Sequence, residues 1–418
     1  DRPGYWKFGL KHDMRDKFRD RTNNNYTGVT SWTLASQGLY FPGPSNFFEG
    51  LYVLGPILDY GGHEQLFRSS PEMFSFAAES SALDSIASDY DIDEKISAGY
   101  GLLSVDFGKW TVLGGVRLEH TDATYRAYFV DLPAEDPLNP ATPISDKNSY
   151  LDVLPSLHVT YRPRDNVVIR GAWTNTVGRP NFESVVPSFE VEDDEGSSGN
   201  PELKPFESMG FDLSLEYYLE PTGIASIGLF YKRIKNPIFG RRTTNTVFRG
   251  IPLDSLSQPE NAKSGTLLGL ELNWEQQFVN LPRPWDGFGA AINLTLVDSD
   301  VDVFGREGDD LPFFRQADVI GNAALFYTIG GFEARLAANY RDHYLQSIGG
   351  DSTEDVYFGK RTQVDFKVSY KASDNMLVFA EWQNLNDASR REWQGTSGRL
   401  FADEIYSWTA LAGVTYTF

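Results

Sequence analysis

Apolar and polar residues alternate with a period of two along most of the chain, in runs of about 8 to 12 residues, near the length a tilted strand needs to cross a bilayer. Phe211, Leu213, Leu215 and Tyr217 are separated by Asp212, Ser214 and Glu216, and Leu268, Leu270, Leu272 and Trp274 flank Glu271 and Asn273, with Glu275 following. Val364, Phe366, Val368 and Tyr370 repeat the pattern against Asp365 and Lys367, as do Ala334, Leu336, Ala338 and Tyr340 against Arg335 and Asn339. Successive strand side chains point to opposite faces, so each run carries one oily face and one polar face. A soluble sandwich alternates too. Here the polar positions are often formally charged and the apolar ones often end in Tyr or Trp. Such strands suit a wall with lipid on one face, a wet lumen on the other and rings at the interface.

The connections have a rhythm of their own. Short turns at 107–109, 162–166, 220–223, 280–287, 330–331 and 371–375 alternate with long segments near 27–88, 130–148, 178–206, 240–260, 300–313, 347–359 and 388–406. Tight turns at one rim and extended loops at the other are the build of an outer-membrane barrel. The pattern predicts an all-β fold over residues 1–418, a transmembrane antiparallel β-barrel of about 14 strands beginning at Trp6, Phe8 and Leu10. Its last strand alternates Trp408, Ala410, Ala412, Val414, Tyr416 and Phe418 with Thr409, Leu411, Gly413, Thr415 and Thr417. That ending resembles the C-terminal signal of bacterial outer-membrane barrels.

Composition sharpens this. Aromatic residues make up 14% of the chain, which favours pleated, half-buried surfaces. The mean hydropathy of -0.37 and the lack of long apolar runs exclude a helical membrane protein but suit a barrel, in which alternate residues face lipid. Cysteine is absent, which removes disulfides, thiolate zinc sites and thiol nucleophiles. A net charge of -21 repels nucleic acid, so no such partner is expected.

Residues 199–218 read GNPELKPFESMGFDLSLEYY, followed by IGLFYKRIKNPI at 227–238. This resembles the late-barrel signature of TonB-dependent receptors. Pro201 and Pro205 cannot donate ladder hydrogen bonds and belong where the loop re-enters the sheet. WTNTVGRPNFESVVP (173–187) and KFGLKHDMRDKFRD (7–20) are similar to a large-barrel proteobacterial subgroup of that family, and ENAKSGTLLGLELNWEQQF (260–278) and WQNLNDAS (382–389) fit it as well. The resemblance implies a barrel of about 22 strands closed by an N-terminal plug, with the strands seen here as its C-terminal part and the plug absent. A complete smaller barrel of about 14 strands stays open beside it. The implied function is receptor and transporter in the outer membrane, taking up a siderophore, vitamin or oligosaccharide. TonB would act through a plug these residues do not contain, and lipid and lipopolysaccharide would surround the wall. A passive porin-like channel and a surface-loop scaffold are the alternatives.

No catalytic, metal or cofactor motif emerges. The five histidines are scattered, with no pair spaced for zinc and no nucleophile elbow or phosphate loop, so an enzyme is not expected. The acidic run Glu190, Glu192, Asp193, Asp194 and Glu195 lacks the spaced Gly and terminal Glu of a calcium loop. Candidate ligand contacts are Trp32, Tyr40, Phe47 and Phe48 in the first long loop, where rings either stack on a solute or form the loop's own small core. Arg390, Arg391 and Trp393 in the last long loop join cation and ring, and Arg179 sits in the family-like GRPN stretch.

Overall fold

A computed structural model describes residues 3–29, 33–43, 53, 55–132 and 141–418. Fourteen strands form one antiparallel wall in chain order: β1 (Gly4–Arg19), β2 (Tyr90–Phe107), β3 (Trp110–Leu132), β4 (Ala141–Arg164), β5 (Val167–Gly178), β6 (Phe206–Tyr218), β7 (Gly223–Lys235), β8 (Ser264–Gln277), β9 (Phe288–Asp302), β10 (Val319–Ile329), β11 (Phe332–Arg341), β12 (Arg361–Ser373), β13 (Met376–Gln383) and β14 (Thr409–Tyr416). Each pairs with the next, from β1–β2 through β13–β14. Among the described residues no pairing joins β14 back to β1, so the wall has two open edges.

The registers align the faces across the whole wall. Leu213 lies opposite Leu229, Leu229 opposite Leu270, and Leu270 opposite Leu296, all on one face. Leu213, Leu268, Leu325 and Leu336 on that outward face keep 54%, 56%, 49% and 46% exposure, a level a soluble core would not leave. Rings gather at its turn-side rim: Trp110 stacks on Tyr161 with centroids 4.2 Å apart, Phe288 leans on Tyr327 at 4.6 Å, and Tyr370 and Tyr416 continue the belt. The opposite, inner face carries Asp212, Glu216, Glu271, Arg335 and Lys367.

Large inner rings are seated on glycines of the neighbouring strand. Phe230 covers Gly269, and any side chain at 269 would collide with its ring. Such a pair fills the lumenal face without widening the strand spacing.

The long connections are largely ordered. β3 and β4 stay paired from Trp110–Tyr161 up to Val130–Ala141, about twice the length a bilayer requires, so residues 141–148 are strand rather than loop. Residues 240–260 form most of a hairpin, Ile238–Phe248 against Ile251–Asn261. The first connection holds helices Tyr60–Ser69 and Ala78–Ile86.

Tight apolar packing sits at this loop end. Ile92, Tyr125, Val186 and Leu203 form one buried cluster. Phe239, Val301, Val303 and Leu345 form a second, and Phe189, Val191 and Leu253 a third. The wall needs no central core because its apolar face points outward.

Candidate functional site

The clusters frame a pocket of about 950 Å3 at the loop end. Its lower wall begins where β5 ends. Pro180 and Asn181 stop the strand, and Arg179 turns back to the inner face of β3 and β4. Its guanidinium donates to Glu119 at 2.5 Å and to Thr121 Oγ1 at 3.2 Å, with Asp152 at 3.9 Å. Arg117 holds the other oxygen of Glu119 at 2.6 Å, so that carboxylate is clamped between two cations.

The hairpin 238–261 supplies Arg241, paired with Glu260 at 2.8 Å, and Arg242, paired with Glu195 at 2.5 Å. Every arginine lining the pocket therefore already has a carboxylate partner. Between the charges lie small hydroxyls, Ser184, Ser188, Ser197 and Ser257, and the amide of Gln258, which donates to the Gly199 carbonyl at 2.9 Å. Phe239, Phe313 and Phe314 line the far side. Burial, with Asp84 and Glu192 nearby, pushes the Glu190 carboxyl at the rim above its ordinary pKa.

The ring side of the pocket is braced from behind. Arg306 grips Asp355 through two hydrogen bonds of 2.9 Å, reaches Asp309 at 2.5 Å and donates to the Gly349 carbonyl at 3.2 Å. Asp355 is 1% exposed and also accepts the Gly349 N–H at 2.9 Å. This pair ties the segment that carries Phe313 and Phe314 to the one that carries Ile348.

Of the residues singled out in sequence, Arg179 lines the pocket. Arg390, Arg391 and Trp393 lie in a separate four-stranded sheet, Tyr344–Ser347, Val356–Phe358, Arg390–Gln394 and Leu400–Glu404. There Arg390 sits 4.1 Å above the Phe358 ring and pairs with Glu404 at 3.2 Å. Arg391 pairs with Asp403 at 3.2 Å, and Trp393 stacks on Tyr357 with centroids 6.0 Å apart. Tyr40 belongs to a two-residue strand paired with Ile57–Leu58 and is 41% exposed. Trp32, Phe47 and Phe48 fall outside the described residues. The acidic run 190–195 is a tight hairpin in which Asp193 and Asp194 take positive φ of 49° and 62°, the two-residue turn that Asp tolerates.

Sequence reading missed Arg241, Arg242, Phe313, Phe314 and the Arg306–Asp355 pair. The adjacent arginines in GRRTTNTV were a visible signal in an acidic chain, whereas Arg306 and Asp355 meet only through the fold.

A family model described as TonB dependent receptor-like, beta-barrel, matches residues 2–385. The chain belongs to the TonB-dependent receptor β-barrel family. Solved structures agree on the fold. The ferric-catecholate import receptor Fiu from K12 E. coli superposes with a TM-score of 0.59 at 11% identity, covering 79% of this chain and 45% of that one. The ferric yersiniabactin uptake receptor FyuA from Yersinia pestis gives 0.57 at 15%, covering 79% and 47%. The Serratia marcescens hemophore receptor HasR, solved with its hemophore HasA and heme, gives 0.53 at 14%, covering 79% and 55%. This TonB-dependent receptor barrel thus spans about half the length of the solved chains it matches.

Proposed function

We propose that this chain forms the wall of an outer-membrane receptor that takes up a scarce nutrient with energy from TonB, capturing it first in the loop-end pocket. The supporting observation is the continuity between that pocket and the polar inner face of the wall, with Arg179 belonging to both. The outward apolar face and its ring belt suit lipid and, towards the loops, lipopolysaccharide.

The pocket's arginines are neutralised, its small groups are hydroxyls and amides, and its broad surfaces are phenyl rings. That lining suits a bulky organic solute rich in hydroxyl and carbonyl oxygens, recognised by hydrogen bonds and ring faces rather than by net charge. Oligosaccharides and iron chelates both offer such groups, and the names of the solved relatives refer to iron chelates and heme.

The test is accumulation of labelled ferric siderophores and labelled oligosaccharides in cells expressing the receptor, with and without TonB. Uptake of one solute that vanishes without TonB, and falls at least about tenfold when Phe313 and Phe314 are both replaced by Ala, is expected. Accumulation indifferent to TonB would identify a passive channel and overturn the proposal.

A further inference from the structure

Two neighbouring turns, at the end of the wall away from the pocket, gather positive charge on a strongly acidic chain. The turn between β2 and β3 supplies Lys109, and the turn between β4 and β5 supplies Arg162 and Arg164. With Thr111, Pro163 and Asp165 they line a cavity of about 540 Å3. Lys109 ties the turns together, its ammonium donating to the Pro163 carbonyl. Arg162 reaches Thr111 Oγ1 at 3.5 Å, and that hydroxyl in turn donates to Asp106 at 2.6 Å. Among the described residues no carboxylate pairs directly with any of the three cations, and the Arg164 side chain has no hydrogen-bond partner.

The strand register aims Arg164 outward. Tyr161 lies opposite Ile169 but Arg164 opposite Val167, so β4 carries one extra residue at this end, a bulge that re-aims a side chain. Without it Pro163 would face Val167. Val167 is opposite Tyr217, Tyr217 opposite Ala225, and Ala225 opposite Trp274, all on the outward face. Arg164 therefore joins a row of rings, one row nearer the turns than the Trp110–Tyr161 stack. Phe107, opposite Trp110 and 52% exposed, adds another ring. At this level β3, β4 and β5 each have a strand on both sides, so further strands beside β1 or β14 would leave this outward rim as it is.

We propose that this rim is a binding site for an anionic phospholipid, with Lys109 and Arg164 on the phosphate and an acyl chain running up the outward face over Trp110 and Tyr161. Guanidinium and ammonium groups match phosphate oxygens, and rings beside cations mark the level of lipid headgroups. Asp165 is the one carboxylate of the lining, so a local positive charge stands in a chain of -21. A soluble anion would have only these cations to set against the field of the whole chain, whereas a phospholipid adds the burial of its acyl chain. The proposal rests on the membrane reading and adds a headgroup-selective site to it.

The full-length receptor in detergent is titrated with phosphatidylglycerol or phosphatidylethanolamine of identical acyl chains, and bound lipid is counted in native mass spectra. Lys109→Gln with Arg164→Gln is compared with Arg283→Gln with Lys371→Gln, which removes the same charge from other turns. Heat-modifiable gel migration confirms that each variant is folded. Each cation beside an anionic headgroup is worth about fivefold in affinity, so phosphatidylglycerol is expected to bind at least about fivefold tighter than phosphatidylethanolamine. The Lys109 and Arg164 pair of substitutions should weaken phosphatidylglycerol binding about tenfold or more and leave phosphatidylethanolamine unchanged, while the other pair alters neither and excess inorganic phosphate displaces no lipid. Equal affinity for the two lipids would mean ordinary annular lipid, equal loss in both variants a diffuse charge effect, and displacement by phosphate a soluble-anion site; each overturns the proposal. If neither lipid bound at all, the membrane reading would fall with it, whereas equal binding of both would leave that reading standing.

Discussion

Two arginines show what side-chain partnership does at the loop end. Arg179 could be singled out from GRPN, but its partners Glu119 and Asp152 are far away in sequence, and only the β3–β4 register brings them together. Arg306 had no local signal. Its bidentate hold on Asp355 leaves the carboxylate satisfied despite complete burial. Removing one partner strands a buried charge, whereas removing both removes the debt as well. Arg306→Met is therefore expected to destabilise the segments 300–313 and 347–359 by about 3–5 kcal/mol, and Arg306→Met with Asp355→Leu to recover most of that loss. Hydrogen exchange of these segments measures it. Equal exchange in the wild type and Arg306→Met would show that the pair is not structural.

Strands were legible wherever one face is apolar and the other polar. β6, β8, β11 and β12 fall where the alternation placed them, because an apolar face backed by a polar one demands opposite chemistries at neighbouring positions. Legibility failed where strands continue beyond that band. The upper parts of β3 and β4 and the hairpin 238–261 have polar groups on both faces, as in Arg241-Arg242-Thr243-Thr244, and so they read as loops. The facing of each strand also fixes what it tolerates. Leu270 lies outward at mid-strand between Leu229 and Leu296, and Glu271 faces inward. Leu270→Arg is expected to cost about 2–4 kcal/mol in refolding into lipid vesicles, and Glu271→Arg far less. Equal costs would contradict the assigned facing.

For the whole molecule, a single parity runs through the fourteen described strands, so one sheet carries an apolar face and a polar face. The loop-end clusters cap the inner side and frame the pocket. The open edges at β1 and β14 carry unpaired backbone groups, which hydrocarbon does not tolerate, so in a membrane both edges need strand partners. The proposed uptake depends on these two faces meeting lipid and water. It is tested most directly by spin labels attached to single cysteines at Leu268, Leu270, Leu272, Glu271, Asn273 and Glu275 of the receptor in lipid vesicles, read for collision with oxygen and with a water-soluble nickel chelate. The three leucine positions are expected to favour oxygen and the three polar positions the chelate, alternating residue by residue along β8. A uniform profile, with both sets equally open to the chelate, would contradict the lipid-facing wall.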